Sequence, residues 1–297
     1  MVPDQDYFFT LSSVAGIKIF RLLMALAALL NLSIVWCDVK NSFIQGDMDV
    51  PIWMKAPPDF LTKEQLRAGY ALRVVKSLYG AKQAAAIWEK TYEKALTALG
   101  FYRMRSTSCL FSKKVNDCLI ITAVHVDDSL WIGNLTDIQF ELSQLQKVFD
   151  LLIEPESSQG LGMRIVRDRC KSLVHLSNPV MIDDLLSRFG CHNAKGKTTP
   201  ASTSSLYEAL PTCSEGDCNL PFKELTGGLQ YLAHTCRPDI AYAVGALSQY
   251  SSCFSKSHYR TAPNILLYLK SPKDLGVVLE DHRISSLHLA TIVSITA

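Results

Sequence analysis

An α+β fold, an antiparallel sheet packed on helices, is predicted by three observations. An apolar stretch of helical character from Ile17 to Leu30 leads, through a turn at Asn31, into a β-rich segment at Ser33–Cys37. A second β-rich pair, Cys118–Val126 and Ser129–Gly133, is joined by the turn-forming Asp127-Asp128 and reads as a hairpin. Amphipathic helices stand on either side of that hairpin, at Ala84–Leu99 and Thr136–Asp150.

Each element follows from its local chemistry. Leu22 to Leu30 is wholly apolar, but Lys18, Arg21 and Asp38 leave fewer than the ~18 consecutive apolar residues of a membrane span, so a buried helix is expected and no membrane partner. Gly46, Asp47, Asp49 and the Pro57-Pro58 pair predict a loop. Ile87, Trp88, Tyr92, Ala95, Leu96 and Leu99 recur at helical spacing, and Gly100 suits the position after the helix. Met163–Val166 pairs with Leu173–Leu176, and Asn178-Pro179 opens a helix that Gly190 closes. Lys195–Asn219, rich in Ser, Thr and Pro, predicts a linker. Three helices follow, at Phe222–His234, Asp239–Ser251 and His258–Lys270, the last interrupted by Pro263. The expected organisation is a first domain over 1–194, a linker over 195–220, a helical region over 221–276 and a distinct tail over 277–297.

Composition bounds the function. With 48% hydrophobic and 20% charged residues in 297, a packed core is expected. Nine Cys without a single CxxC predict a reduced chain rather than a disulfide or zinc framework. The net charge of +2 conceals an asymmetry: Lys55 to Lys114 holds twelve Lys and Arg against four Asp and Glu, a local +8. Such a stretch suits salt-sensitive, sequence-independent phosphate contact, and Lys76, Lys82, Arg103 and Arg105 are its candidates. Lys90 and Lys94 beside Glu89 and Glu93 read equally as a solvated helix face, and Trp88 as core.

The chemically loudest residues are Asp38, at the end of one buried strand, and Asp127-Asp128. Carboxylates brought together repel, and a hard divalent cation with a taste for oxygen ligands relieves that repulsion. Turn chemistry alone also accounts for Asp127-Asp128.

These residues carry a resemblance. Asp38-Val39-Lys40-Asn41-Ser42-Phe43-Ile44-Gln45-Gly46 resembles the first palm motif of copia-type retrotransposon reverse transcriptases, and Lys76-Ser77-Leu78-Tyr79-Gly80-Ala81-Lys82-Gln83-Ala84 their second. His125-Val126-Asp127-Asp128 resembles their Tyr-Val-Asp-Asp box; Leu161-Gly162-Met163, His175-Leu176-Ser177 and Arg237-Pro238-Asp239-Ile240-Ala241 resemble later landmarks. The resemblance implies a polymerase palm with partial fingers and a mostly helical C-terminal thumb or connection region. It implies an RNA-directed DNA polymerase, part of a Pol polyprotein, using two Mg²⁺ ions, with Mn²⁺ as a substitute. Asp38, Asp127 and Asp128 would be catalytic and would hold the metals, with the carbonyl of Val39 as a further ligand. Phe43 would exclude a sugar 2′-hydroxyl, although a core ring beside a strand has the same sequence signature. Gly80 and Gln83 would contact the nascent base pair, and His125 would lie beside the primer end. The implied partners are an RNA template, a DNA primer, deoxynucleoside triphosphates and complementing Pol subunits, in a cytoplasmic virus-like particle with a nuclear phase.

The departures bear on activity. His125 stands where the family has Tyr, and Ala85-Ala86 where it has Pro-Arg. The family's preceding basic fingers strands have no counterpart here, which predicts a truncated enzyme of reduced nucleotide affinity. Val277–Ala297 does not continue into the acidic strand expected of the family's ribonuclease H domain, and its final run, Ile284–Ala297, is apolar and rich in Ser and Thr. A catalytically dead relic that retains only nucleic-acid binding is the alternative reading.

Overall fold

The computed structural model describes residues 12–201, 220–252, 254–280 and 293–294. It is α+β with antiparallel sheets. The chain divides into two compact units: Leu32–Ser157 with the chain preceding Met24, and Ser158 onward with Met24–Asn31.

Helix α1, Ile17–Leu29, buries Phe20, Leu23, Met24, Ala27 and Ala28, the spacing of one helical face, and Asn31 ends it at a positive φ. In the first unit, β1 (Ser33–Val39) lies inside a six-stranded sheet with β4 (Tyr102–Arg103), β5 (Leu110–Val115), β6 (Cys118–His125), β7 (Asp128–Gly133) and β8 (Leu151–Pro155). The order is β4-β5-β6-β7-β1-β8, every pair antiparallel. Val35, Cys37 and Val39 alternate onto one face of β1. There they join a core with Trp88, Tyr92 and Leu96 of α3 (Ala84–Ala98) and Ile138, Leu142 and Leu145 of α4 (Leu135–Leu145). On the other face Phe20 meets Trp36 edge-on, ring centres 6.4 Å apart. A separate two-stranded ribbon pairs β2 (Asp47–Met54) with β3 (Leu72–Lys76); the short helix α2 (Lys63–Arg67), with Thr62 and Gln65 forming a capping box, lies between them in sequence.

The second unit has a sheet β13-β12-β11-β10-β9, from β9 (Gln159–Gly160), β10 (Met163–Asp168), β11 (Leu173–Ser177), β12 (Val277–Glu280) and β13 (Val293–Ser294). Its helices are α5 (Pro179–Arg188), capped by the Asn178 side chain on the Met181 N–H, α6 (Phe222–Thr235), α7 (Ala241–Ser248) and α8 (Lys256–Lys270). Buried Arg237 grips Asp239 with two hydrogen bonds, 3.0 and 2.7 Å, and donates a third to the Pro272 carbonyl; Tyr268 donates to the same carboxylate.

Several expectations need correction. The segment read as a loop at Gly46–Asp49 enters strand β2, whose Pro51 lies where the register shifts between Asp47 and Ile52, a position where a missing N–H is tolerated. Strand β1 runs two residues past Cys37, so Asp38 is within it. Helix α4 stops at Leu145, and Leu151–Pro155 is a strand; Phe149 stays buried through the intervening turn. Helix α8 is continuous through Pro263. Val277–Glu280, the first four residues of the expected tail, form a strand paired to β11, with Val277, Val278 and Leu279 buried. Most of the expected linker, residues 202–219, and the tail segment Ile284–Ala297 apart from 293–294 lie outside the described residues.

Candidate active site

Two of the three aspartates face each other where β1 and β7 pair, and the third stands in the turn beside them. Asp38 on β1 is directly opposite Asp128 on β7, so their side chains share a face of the sheet. Asp127 is tied to the same place by its main chain: its carbonyl accepts the Val39 N–H at 3.0 Å. The hairpin is one residue out of the expected register. His125 pairs with Asp128, leaving Val126-Asp127 as the two-residue turn, with Asp128 the first residue of the strand. Such a turn needs positive φ, and Val126 adopts +58°, strained for a β-branched residue. Trp88, buried in α3, holds it there: its indole N–H donates to the Val126 carbonyl at 2.6 Å.

Burial raises the Asp38 carboxyl above its ordinary range, with the charge of Asp127 adding and Lys40 opposing. Burial likewise raises Asp128; the Trp36 indole N–H, 3.0 Å from Oδ1, pulls it back, while Asp38 and Asp127 push it up. Beneath them Ser129 Oγ accepts from the Trp131 indole and exchanges a hydrogen bond with Tyr92, and burial pushes the Cys37 thiol up to about 12. The set is all oxygen, partly desolvated and mutually repelling, which is the chemistry a hard divalent cation relieves. Among the described residues no group of three or more His, Cys, Asp and Glu is placed so that, as it stands, it could hold a metal ion.

The chain matches the family described as reverse transcriptase (RNA-dependent DNA polymerase) over residues 1–203. It belongs to the reverse transcriptase family. It is 33% identical over 290 residues to the retrovirus-related Pol polyprotein from transposon RE1 of Arabidopsis thaliana, covering 96% of this chain and 19% of that protein. It is 32% identical over 274 residues to that from transposon TNT 1-94 of Nicotiana tabacum, 90% of this chain and 20% of that one. A putative transposon Ty5-1 protein of Saccharomyces cerevisiae is 28% identical over 240 residues, 80% of this chain and 76% of that one. The relatives are copia-type, and the chain spans about a fifth of the length of the Pol polyproteins it matches. Reverse transcriptases generally use divalent metal ions.

The other residues singled out for this member of the family are placed unevenly. Phe43, in a 3-10 turn at Ser42–Gln45, packs on the core and against Tyr79, ring centres 4.8 Å apart. Gly80 has φ +89°, and a Cβ there would meet nothing within 4 Å, so the demand for Gly is conformational. Gln83 is buried, its amide nitrogen 3.3 Å from the Met48 sulphur, a packing position rather than an open base contact. Lys76 is exposed but pairs with Asp47 at 2.7 Å; Lys82 and Arg105 are exposed. Arg103 is not an open phosphate donor: it binds Glu89, both oxygens of Glu93 and the Ser108 carbonyl, because its strand faces the acidic side of α3. His125 Nδ1 donates to the Ala15 carbonyl at 2.8 Å, which fixes its ring to the segment before α1.

Sequence reasoning passed over Trp36 and underrated Trp88. Trp36 could have been found by period alone, since a residue two before Asp38 on a strand shares its face. The Trp88 contact crosses 38 residues and had no local signal.

Proposed function

We propose that the chain carries an RNA-directed DNA polymerase active site at the β1–β7 junction. On this reading the six-stranded sheet and its helices within Leu32–Ser157 are the palm, the β2–β3 ribbon in the same unit is a part of the fingers, and α6–α8 are a thumb or connection region. The observation that carries it is the cross-strand pairing of Asp38 with Asp128, with Asp127 bonded through its carbonyl to Val39. Asp38, Asp127 and Asp128 would supply carboxylate oxygens to two Mg²⁺ ions, with the Val39 carbonyl beside them. When bound, such ions stabilise the charge that develops as a primer 3′-hydroxyl attacks the α-phosphorus and pyrophosphate leaves.

The chain's own residues do the rest. Trp88 and the Val39 N–H hold the turn bearing Asp127, so the carboxylates need no reorganisation of backbone. Phe43, wedged between the core and Tyr79, is a rigid ring at the position that would meet the sugar. Lys82 and Arg105 offer exposed charge to the phosphates of a template–primer duplex.

The test is primer extension on an RNA template with Mg²⁺ and deoxynucleotides, comparing the chain with Asp127→Asn and Asp128→Asn. Extension by the parent alone supports the polymerase. Equal, salt-sensitive duplex retention by all three proteins without extension identifies a nucleic-acid-binding relic instead. No retention at low salt defeats both readings.

A further inference from the structure

On the face of the sheet that carries the carboxylates, one neutral side chain touches them. Trp36 stands two residues before Asp38 on β1 and opposite Leu130 on β7, which makes it the diagonal neighbour of Asp128 on the same face. Its indole N–H lies 3.0 Å from Asp128 Oδ1. Among the described residues this is the only side-chain hydrogen bond that any of the three aspartates accepts, and Oδ2 of Asp128 has no hydrogen-bond partner. The indole is itself held: it is partly buried, and Phe20 meets its ring edge-on.

An indole N–H has one direction in which to donate, and a ring fixed by neighbours cannot follow a carboxylate that rotates. We propose that Trp36 is a positioning residue for the polymerase site: it pins one oxygen of Asp128 and so leaves the other to serve as the ligand. The proposal rests on the reading of Asp128 as a metal ligand. A donor behind a ligating carboxylate is worth roughly 10–100-fold in metal affinity, and nothing else in the described structure supplies one for this site.

Two variants separate the N–H from the ring. Trp36→Phe keeps an aromatic ring and loses the donor; Trp36→Gln loses the ring and keeps a donor. Mn²⁺ binding to the full chain is followed by calorimetry and by water-proton relaxation, with melting curves to confirm folding. In parallel, primer extension on poly(rA) with oligo(dT) yields kcat and the KM for dTTP. The expected result is an Mn²⁺ Kd raised about tenfold or more in Trp36→Phe, with kcat lowered and KM for dTTP unchanged, and substantial recovery of both in Trp36→Gln. Unchanged Mn²⁺ binding in folded Trp36→Phe overturns the proposal and leaves the polymerase reading standing. A loss in Trp36→Gln equal to that in Trp36→Phe also overturns it, because the ring alone would then matter. If Trp36→Phe does not fold, a benzothiophene analogue of Trp at position 36 keeps the shape without the N–H, and the same two outcomes apply. Absence of Mn²⁺ binding and of extension in the parent chain defeats the polymerase reading and this proposal together.

Discussion

The indole of Trp88 donates to the carbonyl of Val126 at 2.6 Å, and Val126 is the residue of the β6–β7 turn with the least natural backbone for its side chain, φ +58°. A core residue thus sustains a strained turn beside Asp127. Relieving the strain should stabilise the fold. Val126→Asn, which tolerates this conformation, is expected to gain about 1 kcal/mol, and Trp88→Phe, which orphans the carbonyl, to lose about 1–3 kcal/mol. Urea unfolding of the two variants measures both.

Repulsion among the aspartates predicts a trade between stability and activity. Asp128→Asn removes one of the charges that burial and its neighbours disfavour, so it should stabilise the fold by no more than about 1 kcal/mol after solvent screening, seen as a higher melting temperature. Saturating Mg²⁺ should raise the melting temperature of the parent chain and leave that of the variant nearly unchanged, since only the parent gains by binding. Calorimetric melts with and without Mg²⁺ decide it. Both raised carboxyls also mean that this local penalty is felt above their folded-state values and eases as pH falls through them towards the unfolded value.

The second unit should respond to acid in the opposite sense. The Arg237 guanidinium bonds lower the Asp239 carboxyl against the opposing effect of burial, so their stabilisation is present above the unfolded carboxyl value and is lost as pH falls through the lower folded one. His258, buried in α8, accepts the Ser255 N–H at Nδ1, and burial lowers its pKa. That contribution is full above the ordinary histidine value and declines as pH falls below it. Arg237→Met should cost about 3–5 kcal/mol through the stranded Asp239 and Tyr268, and His258→Gln should flatten the stability profile between pH ~6.5 and the lower folded value. Thermal melts over pH 3–8 read both.

Gly276 lies just before β12, and a Cβ there would come within 2.0 Å of the Leu176 carbonyl, a backbone atom with little freedom to move. Gly276→Ala is expected to cost about 3 kcal/mol or more. Limited proteolysis of the second unit, compared with the neutral control Gly245→Ala, whose Cβ meets nothing within 4 Å, measures the effect.

Phe43→Ala should admit ribonucleotides. If the ring set between the core and Tyr79 meets the sugar, removing it opens space for a 2′-hydroxyl, and the preference for dNTP over rNTP in primer extension should fall by at least tenfold, ~1.4 kcal/mol. An unchanged preference would return Phe43 to the core.

The nearness of two of the carboxylates was legible because apolar segments abut them, and such a junction needs a reason: Asp38 and Asp128 lie opposite each other on β1 and β7. The turn was misplaced by one residue because Val126 is a poor guess for positive φ, and only the distant Trp88 makes it acceptable. Phe149 continues the apolar spacing of Leu142 and Leu145, which carries the expected helix on to Asp150 although it ends at Leu145, and nothing in that spacing marks strand β8 beyond it. Gln83 and Arg103 were misread for one reason: charge and polarity show in a sequence, whereas the Met48 and Glu93 contacts that occupy them are tertiary.

Strand β12 joins the sheet beside β11 after an excursion of about a hundred residues, from Ser177 to Val277. On a ribosome, the β10–β11 hairpin emerges long before the strand that must cover its edge. Until residue 280 is clear of the exit tunnel, β11 presents unpaired main chain to whatever is nearby, including the same edge on a neighbouring nascent chain. Strand β12 therefore sets the timing of this sheet's assembly, and a chain stopped before residue 277 would keep every residue of the proposed active site while exposing an adhesive edge.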